Sequence, residues 1–348
     1  MRADGRWRRL LVIPLLVGAV AGAGCGDGGD SDDEGGGGGG GDGQGDVEAA
    51  RPPGFEASPA YLSAAIDAST DVPYRFEATV SIGMGGESFD DVPGLTGEFD
   101  GERSSSITDP TEMAEAMGGV PPELEGVDLT IRTVTEGDTA YFYAPGWAEF
   151  ERPVDETTPP NVRLARELGD KWGRVDLTAL SDDAGQLFSQ LNGGQNLDPA
   201  FYLELVRAAE SVEELGGDIV DGVAQIGLAA DVPMADMLEA QGIDPATLTA
   251  GVPEEYADIA ETMTMAIEVW LDGDGLVRRL AMDLGEGLDA MVEQYDVEGE
   301  EAEVLTSIEF GTEVTFFDHG DESIAVEVPA EADTVDVTET VQRIEAET

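Results

Sequence analysis

The sequence predicts an α+β fold built on antiparallel hairpins, with about ten strands and four or five short helices. Three observations carry this expectation. From Tyr74 to Met84, apolar residues (Tyr74, Phe76, Ala78, Val80, Ile82, Met84) alternate with mostly polar ones, the period-two pattern of a long, half-buried strand. Met265 to Leu271 and Leu276 to Leu284 flank Asp272-Gly273-Asp274-Gly275, residue types that tolerate the positive φ of a tight hairpin. Ser58-Pro59 supplies an N-cap and a first-turn proline ahead of Tyr61, Leu62, Ala65 and Ile66, which recur at helical spacing.

The chain opens with a basic stretch (Arg2, Arg6, Arg8, Arg9), an apolar run from Leu10 to Ala21, and small residues up to Cys25. This is the three-part pattern of an export signal over residues 1–24. The run is too short to span a bilayer, which takes roughly 20 apolar residues. Cys25 is the single cysteine, so an internal disulfide is impossible and chemical attachment is its expected use. A cysteine directly after such a site resembles the lipobox of bacterial lipoproteins, with Cys25 as the lipid-modified new N-terminus. Gly22 departs from that pattern, which usually has leucine there.

Residues 25–57 form the expected tether. Gly and Asp dominate from Gly26 to about Glu48, and almost nothing apolar is present to repay the entropy of folding. About 22 such residues reach roughly 25 Å. Asp27, Asp30, Asp32, Asp33 and Glu34 lack the spacing of an EF-hand loop, so the stretch reads as solvated linker and not as a calcium site.

A folded domain is expected over residues 58–332. After the helix and the long strand, strands are expected at Gly94 to Ser106, Val127 to Thr135 and Thr139 to Tyr143, the last two joined by Glu136-Gly137-Asp138. Two helices follow. One opens at Ser181 and stops at Gly193-Gly194; the other opens at Asp198-Pro199, carries Phe201, Leu205, Ala208, Ala209 and Val212, and closes at Gly216-Gly217. Val220 to Val232 returns to strand, Met234 to Met263 reads as a helical insertion, and Ala290 to Glu298, Val304 to Phe317 and Ile324 to Val328 supply further strands. The acidic tail, residues 333–348, is expected to fray.

Net charge is −58, with Lys171 the single lysine. A polyanion is held by Lys and Arg on its phosphates, so nucleic acid is excluded as a partner. Anionic membranes repel such a chain as well, and membrane residence has to come from acyl chains on Cys25. His319, the single histidine, falls in Asp318-His319-Gly320 between strands and reads as a surface or loop residue. There is no Gly-x-Ser-x-Gly elbow, no second histidine for an imidazole zinc site and no phosphate loop around Lys171. No cofactor, metal or catalytic residue is expected.

Several segments together resemble the actinobacterial LppX/LprG lipoproteins, which are similar in fold to the LolA and LolB carriers. They are Asp138-Thr139-Ala140-Tyr141-Phe142, Lys171-Trp172-Gly173-Arg174-Val175-Asp176-Leu177, Ile219-Val220-Asp221-Gly222-Val223, and Val269 to Arg279 through Trp270-Leu271-Asp272-Gly273-Asp274-Gly275. Val314-Thr315-Phe316-Phe317-Asp318-His319-Gly320 and Val328-Pro329 close the series. A departure lies at Gln225-Ile226, where relatives have a His-Tyr pair. The resemblance implies a curved antiparallel β half-barrel with helices on its concave side and an apolar cavity for acyl chains.

Two functions are therefore in view. The first is a non-enzymatic, membrane-anchored lipoprotein that binds a lipid or lipoprotein acyl chain outside the cytoplasm, as a monomer. Its expected cavity wall is Phe76, Val80, Ile82, Val269, Leu280 and Met282, all on apolar faces of the clearest strands. Methionines such as Met234, Met237, Met263, Met265 and Met291 suit repacking around variable tails. The alternative is an anchored adaptor or sensor with a filled core, whose acidic outer face meets a cell-envelope protein or cations. Either way, Cys25→Ala is predicted to move the protein from the membrane fraction to the soluble one with its thermal melting unchanged. Membrane retention of the variant would contradict the lipobox reading.

Overall fold

The computed structural model describes residues 51–84, 87–116, 126–149, 160–180, 199–220, 222–233, 235–237, 264–283, 292 and 308–347. The strands are β1 (Tyr74–Met84), β2 (Glu87–Phe99), β3 (Arg103–Thr108), β4 (Ile131–Glu136), β5 (Thr139–Tyr143) and β6 (Trp172–Asp176), then β7 (Ser211–Val220), β8 (Val223–Pro233), β9 (Thr264–Asp272), β10 (Val277–Asp283), β11 (Ile308–Phe317) and β12 (Thr334–Asp336). They form one open sheet in the order β12-β6-β5-β4-β3-β2-β1-β11-β10-β9-β8-β7. Every pairing is antiparallel except that of β12 with β6. The helices are α1 (Pro59–Thr70), α2 (Pro110–Ala116), α3 (Pro160–Leu168), α4 (Pro199–Arg207) and α5 (Thr338–Glu347). The fold is α+β, a curved and unclosed sheet of half-barrel kind with short helices.

Local chemistry explains the elements that position the inner face. The Ser58 hydroxyl caps α1 by accepting the Tyr61 N–H, and Leu62, Ala65 and Ile66 are buried. Near the helix end, the Ser69 hydroxyl donates to the Ala65 carbonyl and accepts the Val277 N–H, which pins α1 to the start of β10. β1 pairs along its length with both β2 and β11. Pro93, which has no N–H to give, lies in the part of β2 that precedes its pairing with β3, and the β1–β2 register shifts beside it.

The expected long strand from Gly94 to Ser106 is instead two, β2 and β3, because Asp100 builds a turn. Its carboxylate accepts the N–H groups of Glu102, Arg103 and Val326, and Gly101 takes φ 97°. Burial alone would raise the Asp100 pKa, but those three donors and the nearby Arg103 hold it below the ordinary value. The helix opened by Pro199 ends at Arg207, not at Gly216-Gly217. Beyond it the chain pairs with β8 as β7, bulging between Glu214 and Gly216, where φ is 113°. Pairing along β8 outweighs the helical spacing of Ala208, Ala209 and Val212.

Two smaller boundaries move. β4 begins at Ile131 and not at Val127, and Val220 is the last residue of β7 and not the first of β8. Residues 304–307 of the strand expected from Val304 lie outside the described residues. The expected elements at Ser181 to Gly194, most of Met234 to Met263 and most of Ala290 to Glu298 lie outside the described residues, as do Cys25 and the tether up to residue 50. Residues 51–57, expected to be tether, pack on the domain. Arg51 pairs with Glu214 and lies 5.4 Å over the Phe55 ring, which meets Tyr61 edge-on.

The C-terminal part overturns two expectations. Ile324 to Val328 is not a strand; it crosses the outer face of β4 and β5, where Val326 is buried with Val134 and Tyr141. The tail does not fray. β12 adds to the β6 edge, and α5 buries Val341 and Ile344, next to Val337, against Phe142, Leu164 and Val175. The acidic composition conceals this apolar i, i+4, i+7 series. Val341→Ala is predicted to cost about 2 kcal/mol in urea unfolding; a frayed tail would show no change.

Candidate ligand-binding face

Cross-strand partners share a face, so the register maps the inside of the sheet. One row runs Phe316, Phe76, Gly97, Ser106, Thr133, Phe142, Gly173 from β11 to β6. The apolar clusters at its two ends therefore lie on the same face. The first joins α1 and α4 to β1, β2 and β8–β11, with Phe76, Leu228, Val269, Leu280 and Phe316 almost fully buried. The second joins α3 and α5 to β4–β6 around Phe142, Val175 and Leu164.

Between the clusters the face changes character. Ser104, Ser106 and Thr108 of β3 and Thr133 of β4 point inward and are each at most 6% exposed, while Ile107 points outward and is 45% exposed. Ser106 and Thr133 share a hydrogen bond of 2.6 Å, and Ser104 bonds the Thr135 hydroxyl. Gly97 leaves room for the Phe76 ring, which any side chain there would strike.

Of the six expected wall residues, Phe76, Val80, Val269 and Leu280 are buried on this inner face, and Met282 is partly buried against the first cluster. The structure brings these five together. A second row, Met282, Thr312, Val80, Val92, crosses four strands. Ile82 lies two positions further along β1, opposite Phe310. The inward hydroxyls were not foreseen, because the pattern Ser-Ser-Ser-Ile-Thr invites the reverse orientation with Ile107 inside. The signal that locates them is the register, which aligns Ser106 with Gly97.

The Asp272 carboxylate, within the turn, accepts the N–H groups of Asp274 and Leu276 and the Arg278 Nε at 2.7 Å. These bonds are turn chemistry, and among the described residues no cluster of three His, Cys, Asp or Glu is placed to hold a metal. His319 sits beside this corner. It lies in a loop as expected, but its ring is half-buried against Tyr74, with centroids 5.7 Å apart, and its nitrogens have no partner among the described residues.

No family model matches the chain, and no curated protein matches it in sequence. Among solved structures it is similar to the lipoprotein LppX of Mycobacterium tuberculosis, at 10% identity and TM-score 0.36, covering 78% of this chain and 97% of that one. It is also similar to LprF from Mycobacterium bovis, at 10% identity and TM-score 0.32, covering 78% and 95%. A DUF1329 family protein from Desulfovibrio piger is similar at 11% identity and TM-score 0.23, covering 78% and 96%.

Burial, with the Arg278 charge beside it, pushes the His319 pKa down from 6.5 to about 4, against the opposing pull of Asp272 and Asp318. Above pH 6.5 the group is neutral in both states and contributes no slope. Below it, the unfolded chain takes up a proton that the folded site refuses, so stability falls as pH drops from 6.5 towards about 4. The loss is at most about 1.4 kcal/mol per pH unit. His319→Phe keeps the ring contact and removes the titration, so its stability relative to the parent is predicted to rise across this window in urea titrations. A gap independent of pH would count against the assignment.

Proposed function

We propose that the protein is a non-enzymatic carrier that holds acyl chains against the inner face of its sheet, outside the cytoplasm, anchored through lipid on Cys25. The observation that supports this most is the inner face itself, apolar at both ends across one continuous row of an open sheet. Burying an acyl chain there gains about 25 cal/mol for each Å² removed from water. In this reading Phe76, Val80, Ile82, Val269, Leu280 and Met282 lie against the ligand. Among the described residues no helix is long and apolar enough to cross a membrane.

Native mass spectrometry of the protein purified from membranes is predicted to show added masses that solvent extraction removes and identifies as acyl lipids, separate from any covalent lipid on Cys25. Met282 is partly exposed, so Met282→Trp fills space against the first cluster and is predicted to lower lipid capture severalfold with little change in melting temperature. A parent protein that carries no extractable lipid, and takes none up from vesicles, would refute the carrier reading.

A further inference from the structure

The hydroxyls on β3 and β4 stand between the two apolar clusters of the inner face. Two of the three inward hydroxyls of β3 are satisfied by partners on β4, in the Ser104–Thr135 and Ser106–Thr133 pairs. The third is not. Thr108 is 6% exposed, and its hydroxyl has no hydrogen-bond partner among the described residues. The register sets it between Leu95 and Ile131, two buried apolar residues that offer no side-chain acceptor. A buried hydroxyl without a partner costs about 1–3 kcal/mol, and valine would fit the same space without that cost. Local rules of this sort are broken where a site needs the group.

We propose that Thr108, with the paired hydroxyls of Ser106 and Thr133 beside it, is a polar subsite that fixes the middle of a two-armed acyl ligand. Its hydroxyl donates to a neutral ester carbonyl or alcohol oxygen, while the arms run to either side along the inner face, towards the cluster under α1 and α4 and the cluster under α3 and α5. This rests on the carrier reading above and adds ligand selection to it. The ligand's central group is neutral because, among the described residues, neither cation of β3 and β4, Arg103 or Arg132, is on the inner face. Alternation along β3 puts Arg103 on the outer face with Ser105 and Ile107, where it pairs with Glu136 at 2.7 Å. A carboxylate or phosphate over Thr108 would be buried without a countercharge, which costs several kcal/mol. One hydroxyl donor to an ester is worth about 1 kcal/mol, or roughly a fivefold change in affinity.

The test uses the full-length protein, extracted from membranes and delipidated, with labelled dioctanoylglycerol, hexadecane and oleate in equilibrium dialysis. Thr108→Val is expected to weaken dioctanoylglycerol binding by about fivefold, leave hexadecane binding unchanged and melt no lower than the parent. Thr108→Ser, which keeps the hydroxyl, is expected to retain diester binding even if the valine variant folds poorly. Oleate is expected to bind the parent more weakly than the diester. The subsite is overturned, with the carrier reading intact, if Thr108→Val lowers diester and hydrocarbon binding equally or neither, or if Thr108→Ser behaves as valine does. A parent that binds none of the three probes overturns both.

Discussion

The structure depends on the register of its sheet. Side chains alternate strictly along a strand, so a slip of one residue in any pairing would carry Phe76, Phe142 or Phe316 to the solvent face and bring charges inside. The row from Phe316 to Gly173 stays intact because turns fix it at intervals. Asp100 fixes the β2–β3 turn with the N–H groups of Glu102 and Arg103 and also holds the Val326 N–H, and Asp272 fixes β9–β10 with two backbone donors while tying back the bulged Arg278. Both are carboxylates in a chain overloaded with them, and both act on the backbone. The acidity of the sequence is thus partly structural, beyond its contribution to solubility.

The two ends of the sheet are finished differently. At β6, the chain that leaves β11 crosses the outer face, adds β12 to the edge and returns over the inner face as α5, so this part of the sheet is covered on both sides. At β7 the edge is long and left unpaired among the described residues, and it is managed by the bulge at Gly216 and by acidic side chains such as Glu213, Glu214 and Asp218. Arg51 pairs with Glu214, so the polypeptide enters the domain on that side.

How much of this was legible in the sequence depended on whether local pattern and tertiary pairing agreed. They agree in α1, β1 and the β9–β10 hairpin, where cap, alternation and turn residues name the same element. They disagree in β7, whose Val212 continues the spacing of a helix that stops at Arg207, and only pairing with β8 decides the outcome. Five of the expected wall residues share the inner face because strong alternation reports orientation well. The hydroxyl strip was illegible for the opposite reason. β3 places its one large apolar residue, Ile107, outside, and no local rule anticipates a strand that turns its polar side to the interior.

A crystal structure of the protein purified from membranes, without added lipid, tests the central claim most directly. The account predicts continuous density for an acyl ligand on the inner face, running from the Phe76 cluster across Ser106 and Thr108 towards Phe142. An inner face packed throughout by the chain's own side chains, with no density to assign, would contradict it.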